Sequence, residues 1–341
     1  LRPMLREAMG RALLGAVEMR RRQRGPLREN WSLEMETWSR VMHHYARRSH
    51  LLPLAWQRKA IEALVPASGP PGVTRTLITV AGRRAEWIVP EAADDARVLL
   101  YLHGGGYSIG NIESHRHFVA KVARRAGLRA LLLDYRLAPE HPFPAGLDDA
   151  RATWAWLRER GFDPARMAIA GESAGGGLTM ATLLALRDAG DPLPAAAAVL
   201  SPWVDLADTP RDLGEDYLTP DLMARFAAHY LQGTDPTDPL ASPAHAELEG
   251  LPPMLIQAGG AEILRGQIER FARRAKRHGP CFCRRPCPPL SAVGVLPWSP
   301  SWACGSSSRR RSRPSGALGW IPKSARRSCS TPRRARPSPA R

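Results

Sequence analysis

The first 280 residues of this 341-residue chain hold no cysteine; all five, Cys281, Cys283, Cys287, Cys304 and Cys329, fall in the last 61. That gives the main body no disulfide framework. The tail cysteines lack a fourth ligand at zinc-site spacing, which argues against a metal site there. Acidic residues are missing from the same tail: residues 281–341 carry 13 Lys and Arg and no Asp or Glu, leaving 36 basic against 32 acidic groups before it. The formal charge of +17 therefore describes the tail more than the body, and a nucleic-acid or anionic-surface reading is confined largely to that end. No apolar run is long enough to cross a bilayer. The Arg-rich start, LRPMLREAMGRALLGAVEMRRRQRG, has too short an apolar core for a signal peptide, and Glu7 and Glu18 argue against a transit peptide. A terminal helix in a soluble, cytoplasmic protein is the expectation. The opening Leu1 fits a truncated start or an unusual initiation codon. Histidine is absent beyond His278.

What is present is an alternating α/β pattern, with 44% hydrophobic residues, enough for one large domain and an accessory piece. Short apolar runs predict strands over 76–81, 85–90, 97–102, 129–135, 166–171, 196–201 and 253–259. Helices are predicted near 115–126, 146–160, 174–189 and 264–278. From RVLLYL (97–102) onward the alternation predicts a mainly parallel, doubly wound sheet with helices on both faces. Ligands in such sheets bind beyond the carboxyl ends of the strands. Two glycine-rich stretches, HGGGYSIG (103–110) and GESAGGG (171–177), sit at such ends.

In the second stretch a strand, a sharp turn and a helix follow one another, the setting in which a serine is thrust onto a strained elbow with glycines on either side. Ser173 is the candidate nucleophile, favoured by the N-terminus of the helix that follows. A tight turn with an incidental serine is the plainer alternative. Attack on an ester carbonyl creates an oxyanion that needs preorganised donors. The N–H of Ala174 is one candidate; Gly105 and Gly106 offer two more, with Gly104 completing the oxyanion loop by shaping its turn. His103 is read as holding this loop by hydrogen bonds rather than carrying protons.

Together HGGGY, DYRLAPEHPFPA (134–145), GESAGGG, LSPWVDL (200–206) and DPLASP (238–243) resemble the hormone-sensitive-lipase-like carboxylesterases of the α/β-hydrolase fold, the bacterial family IV esterases. The resemblance spans roughly residues 30–279. It implies a serine hydrolase of short to medium acyl esters working without metal or cofactor. It also implies a helical cap built from residues 1–70 and an insertion near 209–232, over a hydrolase core at 71–279. The expected partner is a small-molecule ester; a homodimer is left open and nucleic acid is disfavoured. Glu262, in AEILRGQ after PMLIQAGG, stands at the family's triad-acid position, where a glutamate can orient an imidazolium as an aspartate does. Its plainer alternative is a solvated first-turn glutamate.

The family places its base in a loop beyond the last strand, where this chain has no histidine. His278 ends a helical run of about 14 residues, which carries it roughly 20 Å from Glu262. After Gly279 the periodicity gives way to Arg, Pro, Ser and Cys. This reads as a frame shift near codon 280 that replaced the native end, with residues 280–341 an aberrant basic tail; translation of the neighbouring frames checks it, since neither restoring a histidine-containing end would refute it. The polypeptide is accordingly expected to be nearly inactive. A non-catalytic binding protein of hydrolase fold, or contact with nucleic acid through the tail, are the alternatives.

Overall fold

The computed structural model describes residues 2–27, 29, 31–64, 70–208, 210 and 216–278. The tail at 280–341 and the start of the insertion, at 209 and 211–215, lie outside the described residues.

Three helices open the chain: α1 (Arg2–Arg24), α2 (Leu33–Arg48) and α3 (Leu54–Leu64). The core follows as β1 (Val73–Val80), β2 (Arg83–Pro90), β3 (Asp94–Leu102), α4 (Ile112–Ala126), β4 (Leu128–Leu133), α5 (Ala145–Glu159), β5 (Met167–Glu172), α6 (Ala174–Asp188) and β6 (Ala196–Leu200). It continues with α7 (Pro220–Leu231), β7 (Met254–Gln257) and α8 (Arg265–His278). Each strand and helix expected from periodicity is present, with ends shifted by a few residues.

The seven strands lie in the order β1-β2-β4-β3-β5-β6-β7. β1 and β2 are antiparallel, as are β2 and β4, and every pairing from β4 to β7 is parallel. The period of two along the central strands divides the core. On β3, Leu99 and Tyr101 pack with Ala130 and Leu132 against Val119, Ala120 and Ala123 of α4. Val98, Leu100 and Leu102 turn to the other face, against α5 and α6, where Trp154 and Leu157 are fully buried. Helices thus cover both faces, as a doubly wound sheet requires.

The winding fixes where a ligand can sit. From β3 the chain crosses through α4 to β4 on one side; from β5 it crosses through α6 to β6 on the other. The two strands are neighbours, so the loops leaving their carboxyl ends diverge and open a crevice between them. HGGGYSIG leaves β3 and GESAGGG leaves β5.

Candidate active site

Ser173 is held at φ 53° and ψ −122°, a left-handed conformation that costs a residue with a Cβ. Main-chain bonds on both sides hold it there: its N–H donates to Leu200 O at 2.9 Å, and its carbonyl accepts from Trp203 N at 2.9 Å and Gly177 N at 3.0 Å. The turn closes tightly because Gly175 lacks a side chain; a Cβ there would lie 2.5 Å from His103 O and 2.6 Å from the His103 carbonyl carbon. The elbow and the glycine loop are therefore in direct contact. Ser173 itself keeps part of its surface exposed, and α6 begins at the next residue, directing the positive end of its dipole at the hydroxyl.

The glycine loop bends through Gly105 (φ 117°), Gly106 (φ 58°) and Tyr107 (φ 57°), and Gly105 O accepts from Ile109 N at 2.9 Å. A Cβ on Gly106 would lie 2.6 Å from Cγ of Phe226 in α7. The N–H of Gly104 donates to the Glu172 carboxylate, so this glycine shapes the loop. Among the described residues, no acceptor takes the N–H of Gly105, Gly106 or Ala174.

Glu172 is a residue whose part the sequence did not disclose. Besides Gly104 N–H, its carboxylate accepts the Tyr101 hydroxyl and pairs with His115 Nε2 at 2.9 Å. Burial pushes the Glu172 pKa up, but His115 and the hydrogen bonds from His115, Tyr101 and Gly104 outweigh it and leave it below the ordinary value. Burial likewise opposes the charged form of His115, and Glu172 more than compensates, so its pKa is raised. The residue before Ser173 thus anchors the glycine loop beside it. The only sequence signal was a charged residue inside a glycine-rich turn.

His103 is fully buried, stacked 4.4 Å from the Tyr135 ring and 5.2 Å from His115. Its Nδ1 lies 2.9 Å from Gly104 O, while Nε2 has no partner. Burial, then the neighbouring His115, push its pKa down to about 3. The folded chain thus refuses a proton that the unfolded chain takes up near pH 6.5, and stability from this group falls as the pH falls. His103→Asn is expected to lose about 2 kcal/mol less than the wild type between pH 7 and 5; urea midpoints at the two pH values test it, and equal slopes would refute it.

At the end of β7, Glu262 Oε1 accepts the Ser201 hydroxyl at 2.6 Å, and Glu262 Oε2 is buried without a partner. Burial raises the Glu262 pKa, opposed by hydrogen bonds from Ser201 and the Gly259 backbone and reinforced by the nearby Asp216. Ser201 follows the very residue whose carbonyl holds Ser173 N–H, so Ser173 and the Glu262 carboxylate are both tied to the β6 terminus. No described histidine bonds to either. His43 approaches nearest in connectivity: its Nδ1 meets Asp216 O at 2.6 Å, and Asp216 in turn accepts Ile263 N at 2.7 Å. Its Nε2, however, is taken by Arg47. His278 stands at the far end of α8.

Comparison with known proteins bears on this geometry. The profile of the alpha/beta hydrolase fold matches residues 99–282, more than half of the chain. An acetyl-hydrolase from Streptomyces hygroscopicus is 47% identical over 226 residues, covering 65% of this chain and 74% of that protein. A crystal structure of an esterase from the bacterial hormone-sensitive lipase family superposes with a TM-score of 0.65 at 42% identity, over 70% of this chain and 83% of that one. The chain belongs to the hormone-sensitive-lipase-like family of α/β-hydrolase carboxylesterases. A crystal structure of EstE5-PMSF also superposes on this hydrolase, with a TM-score of 0.68 at 39% identity over 72% of this chain and 85% of that one. Among the described residues, no helix of this hydrolase is long and apolar enough to cross a membrane.

Proposed function

We propose that Ser173 attacks the carbonyl of short to medium acyl esters to form an acyl-enzyme, and that the 341-residue polypeptide does so slowly because its sequence supplies no base where the family has one. The observation that carries this reading is a strained, partly exposed serine whose turn packs against the glycine loop, with the N–H groups of Gly105, Gly106 and Ala174 free of any acceptor among the described residues. Those groups suit a tetrahedral oxyanion, whose charge they meet without reorganising. The orphaned Oε2 of Glu262 is the acceptor that an imidazole N–H would use if it stood between Glu262 and Ser173. The base would take the Ser173 proton, return it to the leaving alcohol, and then activate the water that releases the acid. Each step uses protein groups, substrate and water alone. The helices α1–α3 and α7 form the cap: Phe226 closes on Gly106, and Tyr230 stacks 3.8 Å from Tyr107. The name of the Streptomyces relative makes acetyl and butyryl esters the first substrates to try.

The test is chemical. With 4-nitrophenyl butyrate the chain should turn over little faster than its Ser173→Ala variant, since a triad without its base keeps only a residual rate. Added imidazole should accelerate the wild type beyond its own solution catalysis and leave Ser173→Ala at the solution rate. Full turnover without imidazole would overturn the missing base. Imidazole-dependent turnover equal in Ser173→Ala would overturn the nucleophile.

A further inference from the structure

The cap carries two properties that ester hydrolysis does not call for. Among the described residues, seven of the ten large hydrophobic side chains that stand exposed lie within residues 1–64. The same 64 residues hold 13 basic and 6 acidic groups, while residues 65–280 hold 23 basic and 26 acidic ones. The near-neutral body thus divides into a basic N-terminal part of the cap and a slightly acidic remainder.

The two properties coincide most closely at residues 47–59. Leu51 is 70% exposed, Leu52 41% and Trp56 67%. Arg47, Arg48 and Lys59 are exposed in the same stretch, and no Asp or Glu occurs from residue 37 to residue 61. The apolar side chains project from a fixed frame. Leu52 N bonds to Ser49 O at 3.0 Å and Trp56 N to Pro53 O at 2.9 Å. Gln57 Nε2 bonds to Leu52 O at 2.9 Å, and Arg225 of α7 reaches Ser49 Oγ at 2.9 Å.

We propose that this face docks on an anionic lipid surface, with Leu51, Leu52 and Trp56 entering the headgroup region and the surrounding cations facing lipid phosphates. Trp is favoured at the membrane interface, where its ring is apolar and its N–H is wet. Basic residues around an apolar tip supply the attraction that brings such a face down. A second copy is a poorer occupant, because two such faces would bring like charges together. The face is tied to the glycine loop as well: α3, which carries Trp56, also carries Arg58, whose Nε donates to Ser108 O at 2.9 Å. The proposal concerns binding alone and stands whether or not Ser173 is the nucleophile.

The full chain should co-sediment with vesicles of phosphatidylglycerol and phosphatidylcholine, more weakly in high salt, and little with phosphatidylcholine alone. Leu51→Glu/Leu52→Glu/Trp56→Glu, checked for an unchanged circular dichroism spectrum, should weaken partitioning about tenfold or more. Brominated lipid should quench part of the tryptophan fluorescence, and Trp56→Phe should remove that part. The basic tail is present in every variant. Sedimentation of the triple variant like the wild type would assign binding to the tail and overturn the proposal. So would equal binding to neutral vesicles, quenching that survives in Trp56→Phe, or a lipid-free dimer lost in the triple variant.

Discussion

Glu172→Ala is expected to destabilise this hydrolase by about 2–4 kcal/mol, because it strands two buried donors, the Tyr101 hydroxyl and Gly104 N–H, and breaks a partly buried ion pair with His115. The carboxylate takes three donors, the Tyr101 hydroxyl, Gly104 N–H and His115 Nε2. Alanine leaves all three stranded. It also leaves the partly buried His115 without its counter-ion, so that imidazole would hold its proton less tightly. The pH dependence identifies the cause. His115 has a raised pKa, so its share of the stability is complete below about 6.5, the ordinary value, and is lost as the pH rises through its folded value. Glu172 has a lowered pKa, so its share is complete above about 4.5 and is lost as the pH falls through its folded value. The gap between wild type and Glu172→Ala should therefore be widest between about pH 4.5 and 6.5, measured as urea midpoints across that range. A gap of the same size at every pH would mean that the carboxylate acts by packing rather than charge.

Gly175→Ala should be comparably severe, at about 4 kcal/mol or more, although alanine is the better helix former and Gly175 lies in the first turn of α6. The sign is set by what the methyl group meets. It would fall 2.5 Å from His103 O and 2.6 Å from the carbon bearing it. Both atoms are main chain, at the end of a central strand that cannot yield without parting from its neighbours. Gly15 is the control: it lies in α1 with nothing within 4 Å of an added Cβ, so Gly15→Ala should gain up to about 1 kcal/mol. Melting temperatures of the two variants decide it. A Gly175→Ala protein as stable as the wild type would mean that the elbow and the glycine loop are further apart than the structure has them.

The seven strands could be read from the sequence because each central one is a short apolar run bounded by turn residues, the mark of a strand buried on both faces. The two glycine-rich bends were legible for a related reason: only a cramped turn or a close approach to a ligand explains glycine where a chain leaves a buried strand. Their meeting was not legible locally. It follows from β3 and β5 being neighbours, which is a property of the winding. The same limit hid the partners of Glu172, since Tyr101 sits on β3 and His115 on α4, and nothing in GESAG points to either. Glu262 was found from a resemblance, whereas its bond to Ser201 depends on how β6 and β7 end side by side. The exposed face at residues 47–59 is hidden in the net charge of residues 1–280, where a basic stretch at 1–64 and a slightly acidic one at 65–280 nearly cancel.

Arg58 has a mechanical meaning. Its guanidinium holds the Ser108 carbonyl at 2.9 Å, the Ala138 carbonyl at 3.1 Å and both oxygens of Glu140 at 2.9 and 2.7 Å. One cation therefore rivets α3 to the glycine loop and to the segment at Ala138 and Glu140. A force that lifts α3 is passed through that rivet to the bend carrying Gly105 and Gly106, so displacement of the helix and deformation of the glycine loop are a single motion.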